Sequence, residues 1–168
     1  MSRIQCESFN AIIANQPRWM ILGTMPSVES LNQQFYYAHP RNAFWPIMQQ
    51  LIGCSAETKQ DKVALVHKAG LVLWDVLASC ERPGSLDSNI KKPVANDFVT
   101  LFKRYPTIKT VVFNGKKAQQ LFNKNVLKQQ SIPDDIEYIV LPSTSPANAA
   151  ISAQYKQLFW QEKLCHLV

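Results

Sequence analysis

Four short apolar runs recur along the chain, and each is nearly continuous instead of alternating with polar positions. They cover residues 19–22, 71–74, 110–113 and 138–141. Strands with one buried and one solvent-facing side alternate apolar with polar residues, whereas strands covered on both faces are apolar at nearly every position. The runs therefore predict four buried, parallel β-strands.

The segments between these runs carry apolar residues at spacings of three and four, which is typical of amphipathic helices. They cover residues 42–52, 59–68, 97–105, 116–127 and 154–164. Strands that alternate with helices imply right-handed crossovers and a parallel sheet. We therefore predict an α/β fold, a three-layer sandwich with a central, mainly parallel four-stranded sheet flanked by helices. Residues 81–93, which contain Pro83, Gly84 and Pro93, predict a long surface loop.

Polar or turn-forming residues follow every predicted strand. Gly23, Thr24 and Met25 follow the first strand, Asp75 the second, Asn114 the third and the segment 142–148 the fourth. In parallel α/β sheets, ligands bind beyond the carboxyl ends of the strands. The pattern therefore predicts an active site at that edge of the sheet.

The length and composition narrow the class of protein. A chain of 168 residues predicts a single domain over residues 1–168. No apolar run approaches the roughly 20 residues that a bilayer-spanning helix needs, and the first residues lack a signal-peptide profile, so we expect a soluble, cytoplasmic protein. The four cysteines are scattered without metal-ligand spacing, so we expect no metal and no other cofactor.

The charge is modestly positive, at +6 with a pI near 9.2, and it is unevenly placed. Residues 98–133 contain no acidic residue. The basic residues there are Lys103, Arg104, Lys109, Lys116, Lys117, Lys124 and Lys128. Such a stretch is either a solvated helical face or a surface that meets a phosphate backbone, and both interpretations stay open.

Two segments carry candidate chemistry. In the aromatic-rich segment 35–45, Tyr36 and Tyr37 offer a stacking face for a base, with core packing as the alternative. Asn42 in the same segment precedes an apolar helical stripe, so helix capping competes with any catalytic role. In the segment 142–148, hydroxyl groups and backbone N–H groups suit phosphate oxygens, with an ordinary loop before the last helix as the alternative.

Several blocks, in this order, resemble the uracil-DNA glycosylase superfamily, and more closely its hypoxanthine-DNA (deoxyinosine) glycosylase branch. The blocks are LGTMP at 22–26, YAHPRNAFW at 37–45, LWDVL at 73–77, CERPGSLDS at 80–88, FNG at 113–115 and PSTSPA at 142–147. The resemblance runs from about Met20 to Trp160. Each block alone is weak, and their order makes the resemblance specific.

The resemblance assigns roles at the base. Most of the superfamily places Asp or Asn just before the proline of the first block, where it handles the attacking water, but this chain has Met25. The deoxyinosine branch shares that absence, and its presumed catalytic residue, the Asn of the second block, matches Asn42. Tyr37 matches the aromatic residue that stacks on the flipped base. Asp75 matches a position where many relatives place an Asn that reads the base edge, with a helix or loop cap as the alternative. Base-binding residues are expected at Gly23, Thr24, Met25, Tyr37, Asp75 and Asn114.

The last block is expected to hold the DNA. Ser143, Thr144 and Ser145 would clamp phosphates, Pro146 would act as a wedge, and Ala147 or Asn148 would lie near the gap left in the base stack. Several relatives begin this block with His, where this chain has Leu141 or its neighbour, so help from a histidine to the leaving base is in doubt.

The function implied is that of a monomeric, monofunctional DNA glycosylase in base excision repair. It would remove deaminated bases from DNA by hydrolysis, hypoxanthine first, and would be nucleoid-associated when bound to DNA. Three alternatives stay open. One is a glycosylase for uracil or mismatched thymine, the second is a non-catalytic lesion-binding module of the same fold, and the third is an unrelated small-molecule α/β enzyme.

Overall fold

A computed structural model describes residues 4–168, and the four predicted strands lie together in one sheet. The strands are β1 (Gln5–Glu7), β2 (Ile12–Ile13), β3 (Trp19–Gly23), β4 (Leu71–Asp75), β5 (Leu77–Glu81), β6 (Lys91–Ala95), β7 (Thr110–Asn114) and β8 (Glu137–Leu141). The α-helices are α1 (Val28–Gln33), α2 (Phe44–Ile52), α3 (Lys59–Lys68), α4 (Phe98–Arg104), α5 (Lys116–Phe122) and α6 (Ala153–Leu164).

The central sheet has the order β2-β4-β3-β7-β8. Strands β4, β3, β7 and β8 pair in parallel, as the apolar runs predict. The predicted count of four strands is wrong, because the sheet has five. The fifth strand, β2, pairs antiparallel with β4 at the edge and is only two residues long, which is too short to produce a periodic signal.

Successive residues of each parallel strand point to opposite faces of the sheet and enter two separate cores. From β3, Met20 and Leu22 pack with residues of α4 and α5, whereas Trp19 and Ile21 pack with residues of α2, α3 and α6. Helices therefore cover both faces, which explains why the strand runs are continuously apolar. The prediction of a three-layer α/β sandwich is confirmed.

A second sheet, of order β1-β5-β6, is antiparallel throughout. The predicted surface loop at 81–93 is therefore wrong at both ends, because Glu81 closes β5 and Lys91 opens β6. Strand β6 is largely solvent-facing, and its polar residues and proline hide the strand from a hydrophobic pattern. Only the middle of the segment is irregular, with a single 3₁₀ turn at Asp87–Asn89.

The helices match the sequence prediction closely, with two differences. The predicted helix 116–127 ends as an α-helix at Phe122 and continues as a π-helical turn over Asn123–Leu127. Helix α1 is not predicted, because it is six residues long and buries only Ser30. None of the helices within residues 4–168 is long and apolar enough to cross a membrane.

Candidate active site

The carboxyl ends of β3, β4, β7 and β8 open into one cleft of about 930 Å³. Its volume lies in the range of pockets that enclose small ligands. All the site residues predicted from sequence line it, namely Gly23, Thr24, Met25, Tyr37, Asn42, Asp75, Asn114, Ser143, Thr144, Ser145, Pro146, Ala147 and Asn148. The structure thus brings these residues together, while the role of each one stays a prediction.

Gly23 gives the floor of the cleft its shape. A Cβ atom at this position would lie 2.7 Å from Asp75 Oδ1 and 2.8 Å from the Tyr37 hydroxyl. Real Cβ atoms essentially never approach other atoms so closely. Only a residue without a side chain lets these two polar groups converge at the end of β3.

Asp75 is almost completely buried, with 3% of its surface exposed. Within residues 4–168, its Oδ2 atom has no hydrogen-bond partner. The pKa of Asp75 is raised to about 7, because burial and, to a smaller extent, the nearby Asp87 raise it while Arg82 opposes the shift. The Asn96 side chain donates a hydrogen bond of 2.8 Å to the Asp75 carbonyl, which fixes the end of β4.

Tyr37 presents a half-buried ring to the cleft and a buried hydroxyl to its floor. The ring stacks on Phe44 with centroids 4.0 Å apart. Burial is the main cause that raises the pKa of this tyrosine, with a smaller contribution from the neighbouring Asp75 carboxyl, and the hydroxyl stays neutral. Its backbone is left-handed, at φ 52°, a conformation that costs a non-glycine residue on the order of 1 kcal/mol and is concentrated at functional sites.

Tyr36 lies deeper than its neighbour. It is 3% exposed, and its hydroxyl donates to the Asn10 carbonyl at 2.9 Å. It touches the edge of the cleft but belongs to the core around α2. Of the two tyrosines, Tyr37 therefore has the geometry of a stacking surface.

Asn42 lies half-buried at the start of α2 and borders the cleft. Its Oδ1 atom accepts a hydrogen bond of 3.0 Å from the Phe44 backbone N–H. The N-cap of α2 is Ala43, so Asn42 precedes the cap, and this bond to the first helical N–H fixes the orientation of its carboxamide. The bond is compatible with catalysis, because a carboxamide oxygen has a second lone pair.

Asn114 ties the end of β7 to the loop after β8. Its Nδ2 donates to the Thr144 hydroxyl and its Oδ1 accepts from the Thr144 backbone N–H, both at 2.9 Å. The Thr144 carbonyl in turn accepts from the Ala43 backbone N–H at 3.0 Å. Asn114 thus positions the loop 143–148 beside the loop that carries Asn42, in addition to any contact with a base.

The loop 143–148 is held by its own polar groups. The Ser143 hydroxyl accepts from the Ser145 backbone N–H at 3.2 Å, and the Ser145 hydroxyl accepts from the Ala147 backbone N–H at 3.1 Å. Because each hydroxyl acts as an acceptor in these contacts, its own proton remains for donation to a phosphate oxygen. From behind the loop, the Lys156 ammonium, in a residue only 4% exposed, donates to the Ser145 carbonyl at 3.0 Å.

The sequence prediction missed Asp87. The 3₁₀ turn after Leu86 places it in the wall of the cleft, where it accepts a hydrogen bond from the Thr24 side chain. The segment before it is fastened to the start of α1, because the Ser85 hydroxyl accepts the Val28 N–H at 2.8 Å. The sequence signal that could have identified Asp87 is its place as an acidic residue within the recognised block 80–88.

Other residues that line the cleft also had no predicted role. They include Ser27, Ser30, His39, Ser85, Ile151 and Phe159. His39 is oriented locally, since its Nδ1 accepts the Arg41 backbone N–H at 3.1 Å. Ile151 and Phe159 give the outer wall an apolar surface.

The basic stretch is not one uniform face. Lys116 borders the cleft, and Lys117 lies close enough to Asp87 to lower its pKa. Lys109 instead pairs with Asp135 at 2.6 Å on the surface. The part of the chain that the structure describes contains no group of three or more His, Cys, Asp or Glu side chains arranged to hold a metal.

Fold and cleft together define an α/β protein with a cleft at the carboxyl ends of its parallel strands, lined by an aromatic ring, a buried carboxyl and a hydroxyl-rich loop. The profile of the uracil DNA glycosylase superfamily matches residues 11–163. The chain belongs to this superfamily, and the prediction from the sequence blocks is confirmed.

Individual relatives are similar to this chain over most of its length. A protein of Methanosarcina acetivorans named hypoxanthine DNA glycosylase is 33% identical over 163 residues, covering 94% of this chain and 97% of the relative. A protein of the same name from Methanosarcina barkeri is 32% identical over 114 residues, covering 67% and 72%. The solution NMR structure of a candidate uracil DNA glycosylase from Methanosarcina acetivorans superposes with a TM-score of 0.81, at 31% identity, over 98% of this chain and 99% of that one.

Proposed function

We propose that this chain is a monofunctional DNA glycosylase that hydrolyses the N-glycosidic bond of deoxyinosine in DNA and releases hypoxanthine. The observation that carries this proposal is the floor of the cleft, where an aromatic ring and a buried carboxyl meet over Gly23. The names of the two Methanosarcina relatives support hypoxanthine as the base. Monomeric state, cytoplasmic location and the single domain over residues 1–168 stay predictions.

The base must leave the duplex before it reaches this floor. Extrusion of a nucleotide costs a few kcal/mol, and less at a mispaired lesion. In the proposed complex the Tyr37 ring, already backed by Phe44, stacks on the base, and the Asp75 carboxyl contacts its polar edge. The hydroxyl groups of Ser143 and Ser145 donate to the flanking phosphates.

Bond cleavage then gives the sugar oxocarbenium character. The phosphates held by the loop 143–148 stabilise this positive charge, and donors at the base stabilise the negative charge that leaves. Asn42 orients the attacking water, since its carboxamide is fixed by the bond to the Phe44 N–H. The products are the free base and an abasic site, because the mechanism uses no lysine nucleophile.

The test is base release from duplexes that contain deoxyinosine, deoxyuridine or deoxyxanthosine, with the wild type beside Asn42→Ala. We expect release of hypoxanthine, and a loss on the order of a hundredfold or more in the variant, as when a key polar group is removed. Asn32→Ala is the matched control, because Asn32 is exposed on α1 and does not line the cleft.

Each other outcome selects a different function. Release of uracil without hypoxanthine favours the uracil or mismatch glycosylase. Tight binding of lesion DNA without release of any base identifies a recognition module. Weak DNA binding that is insensitive to salt contradicts a DNA-directed function, since phosphate contacts make binding fall steeply with salt.

A further inference from the structure

Three charged side chains interact electrostatically at the cleft: the carboxyls of Asp75 and Asp87, which line it, and the buried guanidinium of Arg82. Asp75 is 3% exposed and Arg82 is 1% exposed, whereas Asp87 is half-buried. They come from the end of β4, from the residue after β5 and from the 3₁₀ turn. Asp75 interacts electrostatically with both of the other groups, and Asp87 also interacts with Arg82.

Arg82 is poorly satisfied by hydrogen bonds. Its Nη2 donates to the Pro26 carbonyl, while Nε and Nη1 have no hydrogen-bond partner in the described part of the chain. A buried guanidinium keeps its charge and therefore requires a nearby anion. One carboxylate is sufficient to balance it. A second buried carboxylate in the same cluster would be an uncompensated charge, and such groups take up a proton instead.

The structure indicates which carboxyl holds that proton. Burial raises the pKa of Asp87 as well, but Arg82, the Thr24 side chain and Lys117 all oppose that shift and favour its ionised form. Asp75 is more deeply buried, and its Oδ2 has no partner in residues 4–168. The proton therefore belongs on Asp75.

We infer that Asp75 enters the reaction as the neutral carboxylic acid and pairs with the lactam edge of the flipped base, donating its O–H to the carbonyl oxygen and accepting the adjacent N–H. Arg82 and Asp87 are positioning residues that keep the proton on Asp75. This inference deepens the proposed function and rests on it. An ionised carboxylate would set a lone pair against the carbonyl oxygen, whereas the acid forms two complementary hydrogen bonds.

The same contact assists the departure of the base. When the bond from C1′ to N9 breaks, its electron pair passes into the purine, and negative charge reaches the carbonyl oxygen that faces Asp75. A donor fixed at that oxygen in a buried site stabilises the transition state more than the bound substrate. A neutral buried carboxyl can act as such a donor near neutral pH.

The surroundings of Asp75 set the pH at which the donor is lost. The titratable and charged groups that face it are Tyr36, Tyr37, Asp87 and Arg82. Both tyrosines have raised pKa values and stay neutral, so the balance is between Asp87, which raises the pKa of Asp75, and Arg82, which lowers it. The pKa of about 7 places the ionisation of Asp75 inside the range of an activity assay.

The test is the pH dependence of base release from a deoxyinosine duplex under single turnover, from about pH 5 to pH 9. We expect the wild-type rate constant to fall about tenfold per pH unit above pH 7, and so about 100-fold by pH 9. Asp75→Asn offers one donor and one acceptor at every pH. Between about pH 5 and pH 9, the rate constant of this variant should therefore change by less than about threefold. The pH profiles of the two enzymes then cross, and the variant is faster than the wild type at pH 9.

Asp87→Asn supplies a second, independent test. Removal of the neighbouring negative charge lowers the pKa of Asp75, so the alkaline fall of the rate should begin at lower pH than in the wild type. Asp134→Asn is the matched control, because Asp134 is exposed and should leave the profile unchanged. Ionisation of the N1–H of deoxyinosine itself would lower the rates of all four enzymes alike.

The outcomes separate this inference from the proposed function. If the wild type releases hypoxanthine with a flat profile, or if Asp75→Asn falls in parallel with it, the neutral acid is refuted and the glycosylase stands. If the wild type releases no base at any pH, the proposed function fails. If Asp75→Asn does not fold, the direction of the shift in Asp87→Asn decides alone, and an unshifted profile refutes the inference.

Discussion

Gly23→Ala is the substitution whose effect can be worked most directly from the structure. The new methyl group would meet Asp75 Oδ1 at 2.7 Å and the Tyr37 hydroxyl at 2.8 Å, where an ordinary contact begins at 3.4 Å. To reach ordinary contact, Asp75 Oδ1 must move by ~0.7 Å and the Tyr37 hydroxyl by ~0.6 Å. Both are the groups proposed to touch the base, so the distortion falls on the floor of the cleft and leaves the rest of the sheet in place.

The expected effects on stability and activity differ in size. Overpacking of a buried site costs about 1–3 kcal/mol, which in a protein of this length lowers Tm by roughly 3–9 °C. A shift approaching 1 Å of positioning groups costs on the order of 100-fold in rate. Base release from a deoxyinosine duplex, measured under single turnover well below Tm, should show the larger loss.

Gly53→Ala separates these two effects. Gly53 has φ 79°, so alanine is strained there, but nothing lies within 4 Å of its Cβ position, and the residue does not line the cleft. The cost of a left-handed alanine is about 1–2 kcal/mol, comparable to that of Gly23→Ala, while base release should be unchanged. If Gly23→Ala retains the wild-type rate, or if both variants lose activity equally, the close approach over Gly23 does not govern the reaction.

Two further predictions concern stability. The pKa of Asp75 is raised in the folded state, so the native protein binds a proton that the unfolded chain releases, and stability falls as pH rises from about 4 to 7. The free energy of unfolding of Asp75→Asn should therefore exceed that of the wild type by a few kcal/mol at pH 8, and the difference should disappear near pH 4. Thermal unfolding measures it, and a Tm equal to that of the wild type at both pH values would contradict the burial of a carboxyl with a raised pKa. Asn114→Ala removes both hydrogen bonds to Thr144 and leaves that residue's buried groups unpaired, at a cost of about 2–4 kcal/mol. Thermal unfolding together with DNA affinity should show both the destabilisation and weaker binding by the loop 143–148, whereas an unchanged affinity would separate that loop from DNA binding.

The sequence predicts the layers of the fold well because β3, β4 and β7 are buried along almost their whole length and therefore appear as unbroken apolar runs. The edge strand β8 is only partly buried, but it keeps an apolar run and is predicted as well. Elements that lack such a run escape prediction. Strand β6 is exposed over most of its length, and β2 has only two residues, so neither produces a hydrophobic period. The π-helical turn after α5 escapes for another reason, since its register depends on tertiary packing around Val126.

The candidate site divides in a similar way. Residues at the ends of the predicted strands can be assigned to the site from the sequence, because topology alone places them at one edge of the sheet. Gly23, Asp75 and Asn114 are examples. Asp87 in the cleft wall and the buried Arg82 could not be placed from the sequence, because the path of their segment depends on tertiary contacts. The charge cluster that they form with Asp75 therefore appears only in three dimensions.

The position of Met25 shows how the proposed chemistry is distributed. Its side chain is 8% exposed and packs in the apolar core formed by Leu22 and Val76, so the first block of the family pattern contributes shape and no polar group for the water. In the proposed mechanism, the water is oriented from the loop before α2 by Asn42, and the departing base is stabilised from the end of β4 by Asp75. The contribution of the first block to the site is Gly23, which lies two residues before Met25. Because Gly23 has no side chain, the Asp75 carboxyl and the Tyr37 hydroxyl occupy the space beside it and face the base.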